Sequence, residues 1–106
     1  MDVQLRKILT ALRIGLKKLL GDNLVDIYLF GSRTRGDQRS DSDIDVLVVL
    51  RNEFSYFDMV MRTGDLTAEL SLRYDTVITK VFVTQHQFEN EQSPLLINIH
   101  KEGILV

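Results

Sequence analysis

The chain has 106 residues, no cysteine, and 13 lysines and arginines against 15 aspartates and glutamates, for a formal net charge of -2. The absence of cysteine excludes a disulfide framework and thiolate metal sites, and the charge balance gives no bulk attraction to nucleic acid or anionic membrane. No apolar run is long enough to span a membrane and the first residues do not form a signal segment, so the expectation is one soluble, cytoplasmic domain over residues 1–106.

From Gln4 to Leu20 the apolar residues Leu5, Ile8, Leu9, Leu12, Leu16, Leu19 and Leu20 recur three or four apart. That is the period of an amphipathic helix, stopped near Gly21. Its other face carries Arg6, Lys7, Arg13, Lys17 and Lys18, which reads as a solvated face or as a docking face for an acidic partner. Val25–Phe30 and Ile44–Leu50 are short, apolar and bounded by polar residues, as buried strands are. Asn52–Arg73 is mostly helix-forming, but Thr63-Gly64-Asp65 predicts a kink or a division into two helices. Phe54, Tyr56, Phe57, Met59 and Met61 in this stretch are read as core packing rather than a base-stacking surface.

Thr76–Val83, rich in β-branched residues, predicts a third strand. Thr84 with Gln87 matches a capping box, and Ser93-Pro94 predicts the start of a last helix that ends near Glu102 before Gly103. The apolar end Ile104-Leu105-Val106 reads as a strand packed on its own domain or as an interface. The order helix, strand, strand, helix, strand, helix predicts an α/β or α+β fold, with a small mixed sheet of three or more strands covered by helices.

The chemistry concentrates between Phe30 and Val49, in FGSRTRGDQRSDSDIDVLVV. Alternate residues of a strand share a face at roughly 3.3 Å rise per residue, so Asp43 and Asp45 project the same way from points roughly 6 to 7 Å apart. Ile44, Val46 and Val48 take the opposite face. Two such carboxylates repel when ionised, and a hard cation such as Mg²⁺ relieves that repulsion while leaving positions for phosphate oxygens. Asp41 is read as a turn residue. Gly31 allows close backbone approach to an anion and Ser32 adds a hydroxyl, while Arg33 and Arg35 are placed either on the same anion or in loop ion pairs with Asp37 or Asp41. His86 and His100 are assigned no ligand role.

Glycine-serine, ten intervening residues, then Asp-Ile-Asp entering an apolar strand resembles the signature of the DNA polymerase β-like nucleotidyltransferase superfamily. GSRTRGD followed by SDSDIDVLVV is similar to its minimal nucleotidyltransferases, a group that includes MntA-type antitoxins paired with HEPN-domain toxins. The resemblance implies a polymerase β-like fold and transfer of a nucleoside monophosphate, AMP from ATP, to a hydroxyl. It implies nucleotide contacts at Gly31 and Ser32, to which Arg33 and Arg35 are added as candidates by their charge, and two Mg²⁺ ions held by Asp43, Asp45 and a third carboxylate on a neighbouring strand. Asp75, ahead of Thr76-Val77-Ile78, is the candidate for that third acid, with Glu69 and Asp65 as fallbacks. The expected acceptor is a partner protein of the HEPN-toxin kind, because larger relatives carry a further domain for the acceptor and this length leaves no room for one. Homo- or hetero-oligomers are compatible with this. The competing readings are a non-catalytic module that neutralises its partner by contact, and an aminoglycoside-type small-molecule nucleotidyltransferase.

Overall fold

The computed structural model describes residues 2–34 and 43–106. Asp2 begins the first helix, α1 (Val3–Leu20), by accepting a 2.7 Å hydrogen bond from the Leu5 amide, and Gly21 in a positive-φ conformation ends it. Both are residues that suit those positions. The inward stripe of α1 is the predicted one except at Leu19, which is exposed where Leu20 is buried.

Among the described residues the strands are β1 (Leu24–Phe30), β2 (Ile44–Leu50), β3 (Ile78–Thr84) and the two-residue β4 (Ile104–Leu105). They form one mixed sheet in the order β3-β2-β1-β4. β1 pairs antiparallel with both β2 and β4, while β2 pairs parallel with β3. The apolar tail is thus an edge strand of its own domain, pairing Ile104 with Leu29 and Leu105 with Tyr28.

Helices cover both faces of the sheet, which explains why β2, a central strand, is buried at every position except Asp45. On one face Ile44, Val46, Val48 and Leu50 pack with α1 and with α2 (Tyr56–Tyr74). On the other, Leu47 and Val49 pack with Leu96 and Ile99 of α4 (Pro94–Glu102), and with Phe88 of the short α3 (Gln85–Asn90). The predicted capping box of Thr84 with Gln87 and the Ser93 cap are both formed.

Leu12 is fully buried in the α1 layer. Leu12→Ala should therefore lower unfolding free energy by about 2 to 5 kcal/mol, read from urea melts, the spread reflecting how far the cavity collapses.

α2 is one unbroken helix. The division into two helices at Gly64 does not occur, because a single helical glycine costs only about 1 kcal/mol against alanine. Met59, Thr63 and Leu70 on either side of it are buried and hold the helix to the core. The aromatic and methionine residues at the start of α2 divide: Met59 enters the core, whereas Phe57 and Met61 face solvent.

Candidate active site

β1 and β2 build the site from their adjoining ends. Phe30, the last residue of β1, pairs with Asp45 on β2, so the chain leaving β1 must cross the Asp45 side chain. Gly31 makes that crossing at φ +78, and a Cβ placed on it would lie 2.5 Å from Asp45 Oδ2. Only a residue without a side chain permits this approach. Gly31–Thr34 then form one 3-10 turn, closed by the Thr34 hydroxyl donating to the Gly31 carbonyl at 2.7 Å, with Ser32 exposed on its surface.

Asp43 is exposed just ahead of β2, and the next amide, that of Ile44, donates to the Val77 carbonyl at 2.8 Å. Partial burial raises the Asp45 carboxyl above its ordinary range, and the nearby Asp43 carboxylate adds to the rise. The two acids therefore feel one another, as the alternation of a strand requires. The result is a partly buried acid pair with a glycine turn laid against it, a place where a cation could sit between carboxylates and an anionic ligand.

Arg33 turns toward the start of α1. Its side chain is buried rather than presented to solvent, and its Nη2 stands 3.6 Å from Asp2 Oδ2. The cation ties the glycine turn to the cap of α1, and a buried guanidinium is held by such local acceptors. Sequence reasoning could not find this, since Asp2 lies 31 positions away along the chain. Arg35, with Asp37 and Asp41, lies outside the described residues.

A family model described as a nucleotidyltransferase domain matches residues 6–106. The chain belongs to the nucleotidyltransferase domain family. A Methanocaldococcus jannaschii protein named as a putative protein adenylyltransferase, MJ0604, is 34% identical over 77 residues, 73% of this chain and 71% of that protein. The fold of this nucleotidyltransferase is similar to that of a toxin-antitoxin crystal structure with AMP-PNP, at TM-score 0.60 and 23% identity, covering 89% of this chain and 68% of that one. It is similar also to a structure of a tri-AMPylated Shewanella oneidensis HEPN toxin in complex with its MNT antitoxin, at TM-score 0.52 and 21% identity over 97% of this chain and 68% of that one.

Asp75 does not stand at the start of the third strand, where the sequence placed it. Asp75 caps the C-terminus of α2 in the left-handed conformation, φ 50 and ψ 57, and is exposed. It shares a surface hollow with Val3, Gln4 and Lys7 of α1, the helix on the face of the sheet opposite Asp45. β3 begins only at Ile78, and its parallel register sets Thr79 beside Asp45. Thr79 thus occupies the place where a neighbouring-strand acid would complete the set. The fallback acids Asp65 and Glu69 lie within α2. Among the described residues of this nucleotidyltransferase, no three acids or histidines gather to hold one metal ion. Asp43 and Asp45 fit Mg²⁺ held by one or two carboxylates together with substrate phosphates, a usual Mg²⁺ arrangement, and Asp75 stands apart from them at the end of α2.

The raised carboxyl of Asp45 carries a stability consequence. A folded-state value above the unfolded one means that the folded form binds more protons across that window, so stability falls as pH rises through it. At pH 7 the ionised acid opposes folding. Asp45→Asn should raise the melting temperature of the metal-free protein at pH 7 and lose that advantage at pH 3, while removing the extra stabilisation that Mg²⁺ with ATP gives the unaltered protein. An unchanged shift with Mg²⁺-ATP would rule out ligation at Asp45.

Proposed function

We propose that this chain transfers AMP from ATP to a hydroxyl of a partner protein, and that the partner is a HEPN-domain toxin which the modification silences in the cytoplasm. The observation that carries the reading is the Gly31 turn lying against the Asp45 carboxylate beside Asp43. A magnesium-bound triphosphate needs an anion-accepting backbone and a cation-accepting acid pair within one small volume, and the closeness of this turn to these acids supports that reading. The name of the archaeal relative and the solved complexes that hold AMP-PNP or an AMPylated HEPN toxin support the choice of AMP and of a protein acceptor. No helix among the described residues is long and apolar enough to cross a membrane.

In this reading Gly31 and Ser32 would hold the triphosphate, and Asp43 with Asp45 would hold Mg²⁺. When bound, the ion neutralises phosphate charge and steadies the pyrophosphate leaving group. The chain's own residues fix the nucleotide at the open end of the sheet, where the acceptor hydroxyl forms its bond to the α-phosphorus as the bond to pyrophosphate breaks. The test is incubation of the protein with the product of its neighbouring gene, ATP labelled at the α-phosphate, and Mg²⁺. Label should appear covalently on the partner, and none should appear with ATP labelled only at the γ-phosphate. A partner that is bound and neutralised without acquiring label would replace the transfer reading with a contact-only module.

A further inference from the structure

β4 covers only part of the edge that β1 presents to it. It pairs with Tyr28 and Leu29, and a last hydrogen bond of 2.9 Å runs from the Val106 amide to the Ile27 carbonyl. Leu24, Val25 and Asp26 extend past that point with no strand of the described residues beside them on this side. Val25 also has no partner on β2, because the pairing there steps from Leu24 to Asp26 over a bulge. A bulged residue of this kind stands outside the ladder.

A groove of about 410 Å³ follows this unpaired edge. Its floor is apolar, made by Leu24 and Ile27 of β1 with Leu105 and Val106 of the opposite strand end, and its wall is the flank of α1 at Ile14. Ile14 and Leu105 are 50% and 59% exposed. Arg13, Lys17 and Lys18 stand on the same flank, all exposed, with Arg13 and Lys17 one helical turn apart as Ile14 and Lys18 are. Asp26 is the only acid among the described residues that line the groove. Lys17 contacts the exposed Asp22 at 3.7 Å and the Gly21 carbonyl, surface contacts that a ligand can replace.

These features select an occupant. An open strand edge is completed by another extended chain. In the antiparallel register that sets Leu105 against Tyr28, residues in line with β4 beyond Val106 would face Asp26, Val25 and Leu24. The floor suits apolar side chains of such a segment, and three cations against one acid suit carboxylates. Nucleic acid is a poorer match, because no aromatic ring among the described lining residues offers a base a surface to stack on.

We propose that this groove binds an extended acidic segment of a partner protein, which adds to the sheet in line with β4 beneath the cations of α1. The groove follows the start of β1, whereas Gly31 and Asp45 lie at its other end, roughly 20 Å along the strand. Binding there does not depend on the transfer reaction.

Titration of the isotope-labelled chain with a synthetic hexapeptide of alternating glutamate and valine, followed by amide NMR, tests this. The amides of Val25, Asp26, Ile27 and Val106 should shift and saturate, and added salt should weaken the binding. A peptide of alternating lysine and valine should leave them in place. Arg13→Glu together with Lys17→Glu, both at exposed helix positions, should weaken binding by about tenfold or more while the remaining signals stay those of the folded chain. Of two peptides N-methylated at every glutamate or at every valine, one should bind far more weakly, since only alternate amides of an added strand face β1. Shifts gathered at another surface, or no shifts at millimolar peptide, overturn the proposal. Equal binding of the lysine peptide or of a short RNA overturns the acidic occupant, and equal affinity of the two N-methylated peptides overturns strand addition.

Discussion

Replacing Asp43 and Asp45 together by asparagine should reduce labelling of the partner by more than about a hundredfold. Loss of even an outer-shell group at a metal site typically costs about 10- to 100-fold, and here both carboxylates that would meet the ion are removed. The fold should survive, because Asp43 is exposed and Asp45 lies at the end of a strand whose remaining positions are buried apolar residues. Partner capture by the altered protein should therefore match that of the original in a pull-down, while initial rates of label incorporation fall to background. Labelling at an undiminished rate would remove these acids from the reaction.

Gly31→Ala should be more damaging than its single methyl group suggests. At φ +78 an alanine carries the penalty of the left-handed region, about 1 to 2 kcal/mol. Its Cβ would also fall 2.5 Å from Asp45 Oδ2, so either the turn or the carboxylate must move. Both effects act on the same small volume. Urea unfolding should show a loss of about 1 to 2 kcal/mol, and the transfer rate of the folded fraction should drop well beyond what that loss explains. An alanine variant with full activity would mean that the turn and the acid need not touch.

The elements carried by one periodicity were readable in the sequence. α1 follows from its leucine spacing, β2 from an apolar run that only a central strand tolerates, and the caps of α3 and α4 from local hydrogen-bonding residues. The Gly31 and Asp45 contact was legible in part, since the motif named both residues but not the antiparallel pairing of Phe30 with Asp45 that presses them together. What failed depends on relations between distant segments. Asp75 stood just ahead of a strand expected from Thr76, yet the Thr76 amide bonds back to the Ser71 carbonyl and Asp75 closes α2 instead. Which residue stands beside Asp45 is decided by the parallel register of β2 with β3, and no local pattern reveals that it is Thr79. Arg33 is fixed by the arrival of α1, so its burial has no signature within its own turn.

The upward displacement of the Asp45 carboxyl also bears on the chain's history. An acid whose charged form its surroundings disfavour draws no support from the fold at neutral pH. A lineage relieved of nucleotide chemistry would shed such a residue early, whereas it could keep Leu12 or Val48 indefinitely for packing. Loss of the Asp43 and Asp45 pair beneath an intact core is therefore the change expected in descendants that neutralise only by contact.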